Sequence, residues 1–188
     1  MQDYIKHIQQ SIKNRNPKIL DLGCGDGNKS LAIHNSIDFK KPSFTLVESH
    51  VNSPMHVDRY TDFQEYWSND IEQTKFKPIK PHTFKTIFKD ELHFIRESHE
   101  VFDIIISCNH IHFFPLKTQK LFLYLFKKLI SKNGLIYLCV GGSSYTNDDD
   151  YERYLYNSEL ELYLHETFKV IELTDNKARF KEAILYYT

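Results

Sequence analysis

The stretch KILDLGCGDGNKSLAI, residues 18–33, restricts the fold more than any other part of the chain. An apolar run suited to a strand passes straight into Gly23-Cys24-Gly25-Asp26-Gly27, and then into a helix-forming segment from Asn28. Three of the chain's six glycines fall in those five positions. A connecting turn needs one residue with positive φ, so this density points to a backbone that something approaches closely. A second strand-like run, FTLVE (44–48), follows. Strand, turn, helix and strand in that order form a βαβ unit and imply a parallel sheet. A strand that enters a helix through glycines offers backbone N–H groups and the positive end of the helix dipole to a ligand.

The remaining chain extends this pattern. Tyr4, Ile5, Ile8 and Ile12 lie at helical spacing over residues 3–13, ahead of Pro17. DRYTDFQEYWSNDIEQ (58–73) also carries aromatic residues near helical spacing, and two prolines then precede a third strand, TIFK (86–89). After a short helix around 91–99, FDIIIS (102–107) reads as a strand buried on both faces. LKTQKLFLYLFKKLIS (116–131) is an amphipathic helix stopped by Asn133-Gly134, and LIYLCV (135–140) is a further buried strand. A helix at 151–166, a strand FKVIEL (168–173), a TDNK turn and a last strand over 179–187 complete the chain. Strands joined by so short a turn pair antiparallel. The prediction is an α/β fold: a doubly wound, mostly parallel seven-stranded sheet, helices on both faces, ending in an antiparallel hairpin.

Length and composition narrow the function classes. A chain of 188 residues predicts a single domain over 1–188. Within it, residues 1–16 are expected to form the N-terminal helix and 49–83 an extended connection that could cap a substrate. Lys plus Arg (24) nearly balances Asp plus Glu (25), which gives no overall drive toward nucleic acid or anionic lipid. The apolar runs are too short to span a membrane, and the N-terminus lacks a signal-peptide core. Cys24, Cys108 and Cys139 have neither disulfide nor zinc spacing and fit a reducing cytoplasm. No metal is expected, because His110-x-His112 has no third ligand nearby in sequence.

The acids around the turn select among ligands. A nicotinamide fingerprint places glycines at its first, third and sixth positions, but the sixth here is Asn28. Asp21, just ahead of the turn, would repel a pyrophosphate and suits a cationic ammonium. Glu48, at the end of the second strand, is placed to accept hydrogen bonds from ribose hydroxyls. A nucleoside with an amino-acid-like tail and no phosphates meets both conditions.

ILDLGCGDG resembles the first motif of the class I S-adenosylmethionine-dependent methyltransferases, and further landmarks follow in that family's order over residues 17–188. LVESH resembles the second-strand acidic motif, FDIIISCNHIHFF the fourth strand and its loop, and NGLIYLCVGG the fifth strand. The final hairpin resembles the family's reversed seventh strand. The resemblance implies a Rossmann-like fold with S-adenosyl-L-methionine as cofactor. It implies that Asp21, Gly23, Gly25 and Gly27 cradle the methionine part and Glu48 meets the ribose, with Cys24, Asn28 and Ser49 also among the cofactor-binding residues. Asp90 matches a position that contacts the adenine amino group, or else caps the helix that follows. Cys108 and Asn109 match positions touching the methionine moiety, with core packing the other reading for Cys108.

Methyl transfer from a sulfonium needs an aligned acceptor and, for some acceptors, a base. His110 and His112, just beyond the fourth strand, are the candidate bases; the competing reading is that they pack the loop. The Asn/Asp-Pro-Pro-Tyr/Phe motif of many nitrogen methylators is absent. The lysines of KFKPIKPHTFKTIFK (75–89) read as a solvated loop rather than an RNA-touching edge, and NDDDYE (147–152) as an acidic helix cap. The expected acceptor is therefore a small molecule, with no membrane or nucleic-acid partner. An RNA or protein methyltransferase working with a partner, and a non-catalytic S-adenosylmethionine-binding module, are the alternatives.

Overall fold

A computed structural model describes residues 2–25, 27–49, 83–108, 110–111, 114–141, 158–176 and 180–187. The strands are β1 (Lys18–Leu22), β2 (Ser43–Glu48), β3 (Phe84–Phe88), β4 (Phe102–Cys108), β5 (Ile130–Gly141), β6 (Lys169–Asn176) and β7 (Phe180–Tyr186). The helices are α1 (Gln2–Ser11), α2 (Asn28–Ser36), α3 (Glu91–Glu97), α4 (Leu116–Leu129) and α5 (Ser158–Thr167). The strands form one sheet in the order β3-β2-β1-β4-β5-β7-β6. Pairing is parallel from β3 to β5, and β7 runs antiparallel to both β5 and β6. The α/β sheet with a reversed hairpin read from the sequence is the architecture observed.

The apolar runs become strands because each face of the sheet is covered. Leu20, Val47, Ile105, Ile136 and Leu138 point into a core shared with α3, α4 and α5. Their neighbours Ile19, Leu46, Ile104, Ile106, Leu135 and Tyr137 point into the opposite core, under α1 and α2. A strand that buries alternate residues on both sides needs no polar face, which is why FDIIIS is unbroken. Tyr4 of α1 is fully buried and stacks on Tyr137, ring centroids 4.4 Å apart. At the opposite end of α1, the connection is tied to β4 by Asp103, whose carboxylate accepts from Asn14 Nδ2 (3.1 Å) and Lys18 N–H (2.9 Å).

The structure moves several boundaries. β3 begins at Phe84 rather than 86, paired with Phe44 at the start of β2. The helix expected to stop at Asn133-Gly134 ends at Leu129, and Ile130 is already extended and paired with Phe102. Asn133 instead holds a φ of 65° within β5, its N–H bonded to Tyr187 O at 2.8 Å. Thr174, Asp175 and Asn176, expected in the hairpin turn, belong to the ladder opposite Glu182, Lys181 and Phe180. Cross-strand pairing prevails over local turn preference at these three positions. Of the helix expected at 151–166, Ser158–Thr167 is described as helix, and 151–157 lie outside the described residues. The expected helical segment 58–73, residues 50–82 of the 49–83 connection and the acidic run 147–152 lie outside the described residues. Among those described, no helix is long and apolar enough to cross a membrane.

Candidate functional site

Strand order reverses between β1 and β4, and the crevice beyond their carboxyl ends is where ligands bind in such sheets. The glycine turn, the end of β2 and the loop after β4 converge there. Gly23, Gly25 and Gly27 all take the left-handed conformation, with φ of 65°, 54° and 74°. They differ in surroundings. A Cβ on Gly23 would sit 2.3 Å from the ring carbons of His110, so the group that approaches this backbone is the chain's own histidine. A Cβ on Gly25 would meet no described atom within 4 Å.

The turn's described N–H groups are engaged inside the protein. Gly23 and Cys24 both donate to Val47 O, at 2.9 and 3.1 Å, and Gly27 donates to Cys24 O at 2.9 Å. Gly25 donates to Glu48 Oε2 at 2.9 Å, while Glu48 Oε1 accepts from Ser49 N–H at 3.0 Å. The open ring of N–H donors expected from the sequence is therefore not what these four residues present. Carboxylates flank them instead. Glu48 is buried at the end of β2, and Asp21 is buried at the end of β1, where Oδ2 accepts from Ser30 Oγ at 2.7 Å. A phosphate has little to bind in such a setting, whereas an ammonium or a hydroxyl has acceptors.

Asp90 caps α3, with Oδ1 accepting from His93 N–H at 2.7 Å, the capping alternative read from the sequence. His110 is buried between Phe114 and Phe122, with ring centroids 5.3 and 5.4 Å away. Its Nδ1 lies 3.2 Å from Ser107 Oγ, and its Nε2 faces Glu91 Oε1 at 3.7 Å. The imidazole thus packs the loop as well as lying beside the crevice. Asp26, Asn109 and His112 lie outside the described residues, as does the side chain of Asn28. Among the described residues no group of three or more His, Cys, Asp or Glu is arranged to hold a metal.

Three buried residues at the site escaped sequence reasoning: Ser30, Glu91 and Ser107. Glu91 opens α3, where an acid ordinarily faces solvent and complements the dipole. Here it is 2% exposed and accepts from Ser49 N–H at 2.9 Å. Burial pushes its carboxyl pKa up, but His110, its own backbone and Ser49 together outweigh that and leave it below the ordinary value. No local pattern in the sequence marks Glu91, because its partners lie on other loops.

Cys108 is partly buried opposite Cys139 on the neighbouring strand. Hydrogen bonding to Cys139, then burial and the nearby charge of Asp21, push its pKa well above the usual thiol range. The thiolate is the reactive form, so Cys108 is expected to resist iodoacetamide at pH 8 in the folded protein and react once it is unfolded. Peptide mapping of the alkylated protein checks this.

No protein-family model matches the chain, and no curated protein matches it. Solved structures do. N-methyltransferase NodS from Bradyrhizobium japonicum WM9 superposes with a TM-score of 0.65 at 14% identity, covering 98% of this chain and 93% of that one. Magnesium protoporphyrin IX methyltransferase from Synechocystis PCC 6803, with bound S-adenosylhomocysteine, gives 0.64 at 8% identity, covering 99% and 81%. TehB from Haemophilus influenzae gives 0.59 at 16%, covering all of this chain but only 63% of TehB. Such identities speak for architecture rather than chemistry. The chain has the Rossmann-like fold of the class I S-adenosylmethionine-dependent methyltransferases.

Proposed function

We propose that this protein is a methyltransferase that takes its methyl group from S-adenosylmethionine and gives it to a small-molecule acceptor. One observation carries the reading: buried carboxylates, Asp21 and Glu48, flank a glycine turn whose described N–H groups bond within the protein. That arrangement suits a ligand with an ammonium and a ribose and disfavours a pyrophosphate. The open space beside Gly25 leaves room for the same ligand. Neighbouring folds with bound S-adenosylmethionine or S-adenosylhomocysteine support the cofactor.

In this reading Asp21 faces the ammonium, and Gly23, Cys24, Gly25, Gly27 and Asn28 shape the methionine cradle, joined by Cys108 and Asn109. Glu48 accepts from the ribose hydroxyls, with Ser49 beside it. S-adenosylmethionine, when bound, supplies a methyl already activated on sulfur. The protein's task is to hold the acceptor in line with it and exclude water. A neighbouring fold that methylates magnesium protoporphyrin IX supports a small acceptor.

Incubation with methyl-labelled S-adenosylmethionine and separated cellular fractions tests the proposal. Label is expected in the small-molecule fraction. Label confined to RNA or protein contradicts the acceptor class, and cofactor binding without transfer to any fraction contradicts the enzyme.

A further inference from the structure

Three loops meet at the crevice, and one buried acid touches two of them. Glu91 Oε1 accepts the N–H of Ser49, the residue after Glu48, at 2.9 Å. The same oxygen faces Nε2 of His110, in the loop after β4, at 3.7 Å. The His110 ring in turn fills the space that a side chain at residue 23 would occupy. Of the elements packed on that ring, the glycine turn offers Gly23, β4 offers Ser107, and Phe114 and Phe122 line its sides. Among the described residues Glu91 is its charged partner.

We propose that Glu91 and His110 are positioning residues of the cofactor site, a buried carboxylate–imidazole pair that sets the glycine turn, the Glu48-Ser49 corner and the loop after β4 relative to one another. This rests on the crevice being the S-adenosylmethionine site. It gives His110 a different task from that of a general base. Its ring nitrogens are directed at Ser107 and Glu91, and its carbon edge supports Gly23. A carboxylate 3.7 Å from Nε2, beyond hydrogen-bond length, favours the ring proton on that nitrogen, which leaves Nδ1 to accept from the Ser107 hydroxyl. One acid thereby fixes both the orientation of the imidazole and the corner carrying the ribose-binding carboxylate.

Glu91→Gln keeps an oxygen for Ser49 N–H and removes the charge opposite His110. Calorimetric titration with S-adenosylhomocysteine, well below each variant's Tm, separates positioning from general stability. The expected result is about a tenfold or greater loss of affinity in folded Glu91→Gln, the size of one charge-assisted contact. The double variant Glu91→Gln/His110→Gln should lose little more than the weaker-binding single variant. With ¹⁵N-labelled histidine, the His110 ring-nitrogen shifts should report the proton on Nε2 in the unmodified protein and lose that preference in Glu91→Ala, which leaves no acceptor facing Nε2.

Ser107→Ala, which removes only the Nδ1 partner, gives an independent reading: weakened affinity supports the pair even if Glu91→Gln does not fold. A lowered Tm with unchanged affinity, in whichever of these variants folds, overturns the positioning role and makes the pair ordinary core. Failure of the unmodified protein to bind S-adenosylhomocysteine overturns the cofactor assignment and the positioning role together, an outcome distinct from unaffected variants.

Discussion

Gly23→Ala should destabilise the fold severely, whereas Gly25→Ala should leave the fold nearly intact and disable the crevice. Both glycines sit at positive φ, which costs an alanine about 1–2 kcal/mol. At Gly23 the new methyl also collides with the His110 ring, which is itself pinned between Phe114 and Phe122. Overpacking of that kind adds about 1–3 kcal/mol, so the Tm should fall by roughly 5–15 °C. At Gly25 the methyl meets no described atom, so the Tm should fall by only a few degrees, roughly 2–6 °C. The methyl would instead stand in the proposed cradle, with an affinity loss for S-adenosylhomocysteine of about a hundredfold. Thermal melts and calorimetric titration of the two variants check the contrast. Equal losses of stability would show that the two positions do not differ as their surroundings indicate.

Glu48→Gln is the second large effect. The two carboxylate oxygens each accept a backbone N–H, from Gly25 and from Ser49. A carboxamide has one oxygen, so its NH₂ must oppose one of those donors. Hydrogen bonds to charged groups contribute about 1.5–3 kcal/mol each, and stability should fall by about one such bond. The loss of binding should be larger, about a hundredfold or more, because the glycine turn shifts and the ribose loses its acceptor together. Affinity within twofold of the unmodified protein would exclude Glu48 from the cofactor site.

The sequence revealed much of this arrangement and hid the rest for physical reasons. The β1–turn–α2–β2 unit and strand β4 were legible because their signals are local: glycines at a turn, and unbroken apolar runs that only two-sided burial explains. Boundaries set by pairing were less legible. Ile130 joins β5 because it lies beside Phe102, and Thr174 to Asn176 stay in β6 because β7 continues opposite them. The site divides in the same way. Asp21, the glycines and Glu48 stand at ends of readable strands. Glu91 reads as an ordinary helix-opening acid, and its burial depends on Ser49 and His110, far away in sequence. His110 reads either as a candidate base or as loop packing, and only the folded structure shows its ring seated where Gly23 has no side chain.

Titration of the purified protein with S-adenosylmethionine, S-adenosylhomocysteine and NAD, followed by calorimetry, tests the central claim most directly. Low-micromolar binding of the first two, no heat with NAD, and loss of binding in Asp21→Ala and Glu48→Ala are the predicted results. Binding of NAD in place of the other two, or of none of the three, would contradict the cofactor assignment and leave only the fold.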